Sequence, residues 1–271
     1  QKGEMGKLAN IVNPDIAVLT AVGLAHAGNF SSVEEIKKEK MQIFSKGCRK
    51  GLVPMHLKND CPLKGVKTFS TKDPEADFFM EKTASGYLFK EKNGSFLFKS
   101  LPFEETHLAE DFMIACSVAR MLFLPFETIE RRAQSLKAFQ HRFEKRRIDE
   151  VLFVIDCYNA NPVSMHAAIN NLPEGKRKIG VFGSMKELGA FSEKEHLDFA
   201  ERSSLIFDEF FLIGDEMRIA HGYFLKKKKK SSHFTELKDL SRHLKKAIQK
   251  EDVVLIKGSR SFQMEKIMEF L

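Results

Sequence analysis

The sequence predicts an α/β fold in two parts, the second of them Rossmann-like with a mainly parallel sheet. Two observations lead to this prediction. Beyond residue 150, strand-length apolar runs alternate with helix-length amphipathic stretches, the pattern of βαβ units; the runs cover 150–155, 178–182, 208–213 and 252–257. Polar side chains follow three of these runs directly, as they do at the carboxyl edge of a parallel sheet, where ligands bind.

The first half is predicted to be less regular. An apolar strand covers 15–22, and the capping box Ser32-Val-Glu-Glu opens a helix that runs to about residue 46. A second strand is predicted at 52–55, and hairpin strands between 77 and 100, where the residues alternate around an Asn-Gly turn. Two helices follow, at about 107–122 and 126–138.

A polar segment at 139–147 is predicted to be the hinge between two domains, 1–142 and 143–271. The chain of 271 residues is long enough for two domains with separate cores. A helix over 262–270 is expected to follow the last strand.

Composition narrows the class of protein. No apolar stretch is long enough to cross a membrane, no secretory pattern is present, and the four scattered cysteines indicate reduced thiols rather than disulfides or a zinc site. We therefore expect a cytoplasmic protein without membrane contact. We also expect a monomer. The net charge of +7 lies largely in the lysine run 226–230, which has no interleaved aromatics and indicates a solvated loop rather than nucleic-acid binding.

The segment with the most candidate ligand groups follows the predicted strand 151–155. It contains Asp156, Tyr158, Asn159 and Asn161, and a proline then opens a helix. These side chains indicate a ligand site, although a strand-to-helix turn rich in Asx residues, without a ligand, remains open.

Two further strand ends carry similar signals. Residues 183–189 follow one strand, and Lys257, Ser259 and Arg260 close the last one, where they could hold a carboxylate or phosphate near a helix start. A capped helix with solvated cations is the alternative for the second of these. Three such ends on one sheet indicate a shared cleft.

Lys40 lies among the apolar positions Val33, Ile36, Ile43 and Phe44 when the helix is projected at 100° per residue. Such a lysine either extends its amine to the edge or has a lowered pKa and a chemical role. A neutral amine can react with carbon dioxide to form a carbamate, an oxygen ligand for a hard cation. His26 follows the strand before this helix, as a structural residue or as a ligand.

Three motifs together resemble the Mur ligases, the enzymes that add amino acids to bacterial peptidoglycan precursors. They are Asp-x-Tyr-Asn-Ala-Asn-Pro-x-Ser-Met at 156–165, Gly-x-Met-x-Glu-Leu-Gly at 183–189 and Lys-Gly-Ser-Arg-Ser-x-x-Met-Glu at 257–265. Their exact versions match the branch that joins D-alanyl-D-alanine to UDP-N-acetylmuramoyl-tripeptide. The resemblance implies the later part of a central ATPase domain followed by the Rossmann-like C-terminal domain.

The resemblance also implies ATP and Mg²⁺ as cofactors. The family histidine that matches His26 binds Mg²⁺, and the lysine that matches Lys40 is carbamylated and helps to place a second Mg²⁺. Arg142 matches the hinge arginine. Asp156 matches an acidic residue that contacts the ATP ribose. Tyr158, Asn159 and Asn161 belong to the same motif, and the resemblance implies that they bind the nucleotide. Lys257, Ser259 and Arg260 match a motif near the peptide substrates.

The sequence departs from the family in specific places. The phosphate-binding loop Gly-x-x-Gly-Lys-[Ser/Thr] does not occur in the 271 residues, so the chain alone is expected to be inactive. Glu4 does not match the family's metal-binding glutamate. Glu110 and His56 stand where asparagine is usual, and Ser184 where aspartate is usual.

Two other interpretations of the sequence were considered. The tyrosine-asparagine and serine-arginine pairs argue against a sister Mur ligase or a folylpolyglutamate synthase. A non-catalytic nucleotide- or peptide-binding protein is a further alternative.

Overall fold

The computed structural model describes residues 2–24, 27–44, 47–103, 105–136 and 139–271. The chain forms two compact units, and residues 23–31 cluster with the second of them; the first unit comprises 1–22 and 32–137, and the second 23–31 and 138–271. Each unit is built on its own six-stranded sheet, which confirms the α/β prediction. No helix in the described ranges is long and apolar enough to cross a membrane.

The first sheet runs in chain order and changes from parallel to antiparallel pairing at its fourth strand. Its strands are β1 Ile16–Val18, β2 Lys50–Pro54, β3 Lys67–Ser70, β4 Phe78–Thr83, β5 Gly86–Glu91 and β6 Gly94–Phe98. The accompanying helices are α1 Glu4–Val12, α2 Val33–Met41, α3 Thr106–Met121 and α4 Phe126–Ala133. Phenylalanines from the antiparallel strands pack against α3, as in the edge-to-face pair Phe98–Phe112.

The second sheet has the order β11-β10-β9-β12-β8-β7, and every neighbouring pair is parallel except β7 with β8. Its strands are β7 Glu144–Ile148, β8 Val151–Ile155, β9 Arg177–Gly183, β10 Glu209–Ile213, β11 Lys230–Phe234 and β12 Asp252–Lys257. The helices are α5 Pro162–Asn170, α6 Ser192–Ser203, α7 Met217–Lys226 and α8 Leu237–Ala247.

The central strand β12 is buried along its whole length because helices cover both faces of the sheet. Val253 and Leu255 face one apolar cluster, and Val254 and Ile256 face the other. The four apolar runs of the sequence correspond to β8, β9, β10 and β12, as predicted.

Several elements differ from the sequence prediction. Residues 262–270 form 3₁₀ turns instead of one α-helix, because Gln263 adopts a left-handed conformation with φ of 48°. The charged edge strand β7 has no apolar periodicity and was not predicted. The end of the lysine run enters β11 rather than remaining a loop. The first strand and the helices α2 and α4 are shorter than predicted.

Candidate functional site

Three of the predicted polar strand ends meet in the second unit. Strands β8, β12 and β9 are consecutive and parallel, so their carboxyl ends lie at one edge of the sheet. A cavity of about 320 Å³ opens there. It is lined by Leu24, Asn159, Ala160, Asn161, Lys186, Glu187, Ser259, Arg260 and Ser261. The structure thus brings part of each predicted strand-end motif to one cavity.

Lys257 ends β12, just before Ser259 of the cavity lining, and is only 2% exposed. Its Nζ donates to Asp156 Oδ2 at 2.6 Å, and to the main-chain oxygens of Asp156 at 3.3 Å and Asn159 at 3.2 Å. Burial lowers the pKa of Lys257, and the attraction of Asp156 opposes that shift. All three donor positions of the ammonium face protein oxygens, so Lys257 fixes the loop after β8 rather than reaching into the cavity.

Asp156 joins this loop to the turn before β7. Its Oδ1 accepts a hydrogen bond from the Phe143 N–H at 3.1 Å, while Oδ2 holds Lys257. Beside Phe143, the Arg142 guanidinium stacks on the exposed ring of Tyr158, with its central carbon 4.0 Å from the ring centroid. We call this pair the Arg142–Tyr158 stack.

The two asparagines of the first motif have local structural partners. Asn161 caps α5: its Oδ1 accepts from the Ser164 N–H, and the Ser164 hydroxyl accepts from the Asn161 N–H. Asn159 Oδ1 accepts from the Ala160 N–H. Both asparagines still line the cavity, so the Asx-rich turn and the site wall are the same structure.

The carboxyl ends of the other two strands, β9 and β12, are hydrogen-bonded to each other. Ser259, which is 4% exposed, accepts a hydrogen bond from the Lys186 N–H at 2.8 Å and donates its own N–H to the Ser184 oxygen. A Cβ atom at Gly258 would lie 2.9 Å from Gly183 Cα and 2.3 Å from Met264 Sδ. Glycine is therefore required for β9 and β12 to approach this closely.

Two cations on the cavity wall are held by carboxylates. Arg260 Nη1 donates to Glu265 Oε1 at 2.7 Å, and Lys186 Nζ lies 2.8 Å from both oxygens of Glu216. Lys186 and Glu187 were not predicted as site residues, although both lie inside the 183–189 motif. Their type alone gave no signal, because surface lysines and glutamates are common in any sequence.

Lys40 lies in the first unit, on α2, where it is half-buried. Its Nζ donates to the Ala21 oxygen at 3.2 Å, and burial lowers its pKa. Ile36 is buried and Val33 is exposed, so the predicted apolar stripe is narrower than expected. A lowered pKa suits carbamate formation, which requires the neutral amine. His26 lies outside the described residues.

Comparisons with known proteins cover both units. Residues 1–109 match the family model described as Mur ligase middle domain, and residues 141–260 match Mur ligase, glutamate ligase domain. The UDP-N-acetylmuramoyl-tripeptide--D-alanyl-D-alanine ligase of Bacillus subtilis is 29% identical over 100% of this chain and 62% of its own length.

Two solved structures are similar in fold. MurF from Acinetobacter baumannii has a TM-score of 0.84 and 24% identity, covering 99% of this chain and 62% of its own. MurF ligase from Thermotoga maritima, in complex with ADP, has a TM-score of 0.81 and 24% identity, covering 100% of this chain and 64% of its own. The chain thus spans less than two thirds of each of these relatives.

Proposed function

The chain belongs to the Mur ligase family. We propose that it is part of an ATP-dependent ligase that joins D-alanyl-D-alanine to UDP-N-acetylmuramoyl-tripeptide. The observation that carries this proposal is the meeting of three motifs at one sheet edge, in a chain that matches such a ligase along its whole length. The proposed reaction belongs to the synthesis of peptidoglycan precursors, and we propose that it takes place in the cytoplasm.

We assign the nucleotide side of the site to Asp156 and the Arg142–Tyr158 stack, with the loop of Asn159 and Asn161. Each Asp156 oxygen already accepts one hydrogen bond, but a carboxylate offers about four lone-pair positions, so it can still accept a ribose hydroxyl. Arg142 has no carboxylate partner among the described residues. Its guanidinium is therefore available to bind an anionic group of the nucleotide.

ATP with Mg²⁺ supplies, when bound, the phosphoryl group that activates the terminal carboxylate of the tripeptide as an acyl phosphate. Among the described residues, Lys40 suits a metal-placing role because its lowered pKa favours the carbamate, an oxygen ligand. His26 is proposed as the second metal-binding residue on the family resemblance.

The peptide side is assigned to the cavity. Arg260 lines it directly and can exchange part of its hold on Glu265 for the carboxylate of the incoming dipeptide. Lys257 and Ser259 act through the loops that they hold, since their polar atoms already bind protein groups. Such positioning of the amine against the activated carboxylate is the main contribution a site of this kind makes.

A phosphate-release assay tests the proposal, with protein produced from the complete coding sequence and UDP-N-acetylmuramoyl-tripeptide as acceptor. We expect release that depends on D-alanyl-D-alanine and not on D-glutamate or L-lysine. Arg260→Gln should raise the KM for the dipeptide about tenfold. Lys266→Gln, an exposed cation on the same segment, is the matched control and should leave it unchanged.

Two outcomes would contradict the proposal. Release that is independent of the dipeptide would remove the assigned substrate, and equal KM values for both variants would remove Arg260 from the site. The 271 residues alone should show no turnover, because the family's phosphate-binding loop is not among them.

A further inference from the structure

We propose that His141, Cys157 and Glu265 form a binding site for a thiophilic divalent cation of the Zn²⁺ type. This site goes beyond the proposed function, which names Glu265 only as the partner of Arg260 and assigns no role to His141 or Cys157. They belong to the turn before β7, the loop after β8 and the last 3₁₀ turn, three segments that the fold brings together.

The geometry is close to that of a metal site. One ligand atom from each residue lies within 4.8 Å of the others, with Cys157 buried and the other two half-buried. In a tetrahedral zinc site, bond lengths of about 2.0–2.3 Å place ligand atoms about 3.3–3.8 Å apart. Side-chain movements of about 1 Å would therefore close the site, and the fourth position would remain for water.

The main chain already holds these segments together. The His141 oxygen accepts from the Tyr158 N–H at 3.1 Å, and the His141 N–H donates to Glu144 Oε2 at 3.1 Å. The turn that carries the imidazole is thereby tied to the residue next to Cys157. Little backbone ordering remains to be done when a cation arrives.

Two of the ligands also contact each other. The Cys157 thiol donates to Glu265 Oε2 at 3.6 Å, and Glu265 Oε1 accepts from Arg260. The two oxygens of the carboxylate thus have different partners, the Cys157 thiol and the Arg260 guanidinium. Glu265 is oriented toward the proposed cation by Arg260.

A cation of this type binds cysteine as the thiolate, and its charge stabilises that form directly. Its binding should therefore displace one proton from Cys157 into solvent at neutral pH.

Calorimetric titration of Zn²⁺ into the purified chain tests the site. We expect one equivalent bound, with release of one proton measured from the dependence of the heat on buffer ionisation enthalpy. Co²⁺ in place of Zn²⁺ should give a thiolate-to-cobalt charge-transfer band in the near ultraviolet. Absence of binding by the unaltered chain would overturn the proposal.

Variants assign the ligands. Cys157→Ser should abolish the band and weaken Zn²⁺ binding roughly 100-fold or more, because a neutral hydroxyl replaces a thiolate. Cys61→Ser, which removes the least buried of the four thiols, is the control and should change neither. An unchanged band in Cys157→Ser would refute the site.

Because Cys157 is buried, its substitution also tests the fold, and two variants at half-buried positions provide an independent test of the metal site. His141→Ala and Glu265→Gln should each keep the fold, lower the Zn²⁺ affinity at least about tenfold and alter the cobalt spectrum. Affinity equal to that of the unaltered chain in both would equally refute it.

Discussion

Lys40 is half-buried and Lys257 is buried, and their surroundings differ between the two units. Lys257 ends a central strand and pairs with Asp156, whereas Lys40 lies on helix α2 and, among the described residues, bonds only the Ala21 oxygen. Burial lowers the pKa of both amines. Burial alone therefore does not determine the role of a lysine. We expect a carboxylate partner to commit a buried amine to a structural role, and an amine without such a partner among the described residues to be available for chemistry.

Removing the amine of Lys257 should have the largest effect. Lys257→Met leaves the Asp156 carboxylate, 17% exposed, without its cation, so we expect a loss of about 3 kcal/mol in unfolding free energy. Urea denaturation measures this. Lys250→Met removes the exposed pair with Glu150 and should change stability by less than about 0.5 kcal/mol. Equal losses in the two variants would contradict a structural role for Lys257.

His196 extends the comparison to a buried side chain that hydrogen-bonds main-chain groups and no carboxylate among the described residues. Its Nε2 accepts from the Met185 N–H at 3.1 Å and its Nδ1 donates to the Ser192 oxygen at 2.7 Å. Burial lowers its pKa, so below the unfolded value of about 6.5 the unfolded chain binds a proton that the folded chain refuses. Stability from this group is therefore lost as pH falls from about 6.5, by at most about 1.4 kcal/mol per unit.

His196→Gln should remove that part of the pH dependence, measured as unfolding free energy between neutral and mildly acidic pH. Glutamine can still accept from one neighbour and donate to the other. His243→Gln, at an exposed position of α8, should leave the slope unchanged. A slope that persists in His196→Gln would assign it to other groups.

Lys40 should have the smallest effect on stability and a distinct chemical one. Lys40→Met should change the unfolding free energy by less than about 1 kcal/mol, since no carboxylate among the described residues loses its cation. With ¹³C-labelled bicarbonate, the unaltered chain should show a carbamate resonance that Lys40→Met lacks. Lys38→Met, on the exposed side of the same helix, should keep the resonance. A signal that survives in Lys40→Met would end the carbamate hypothesis.

The sequence predicted the parts of the fold that depend on short-range patterns. Apolar runs located β8, β9, β10 and β12, because strands covered on both faces must be apolar throughout. Strand β7 was missed because an edge strand of charged residues has no such requirement. The break at Gln263 was missed because its left-handed backbone leaves no mark in the hydrophobic pattern.

For the site, the sequence identified which segments meet but not how the side chains pair. Lys257 reads as a substrate cation in sequence, and only the structure shows its ammonium enclosed by Asp156 and Asn159. The group of His141, Cys157 and Glu265 was equally hidden. Its cysteine and glutamate are 108 residues apart, a spacing that no local motif encodes.

The hydrogen bond from the Phe143 N–H to Asp156 has one further consequence. An amide proton that faces a carboxylate resonates at a position that depends on the charge of that carboxylate. The Phe143 amide is therefore a built-in spectroscopic reporter, one residue from Arg142 and one hydrogen bond from the ion pair with Lys257. Occupation of the sheet edge by a nucleotide, or loss of the Lys257 cation, should be readable from this single resonance without any added label.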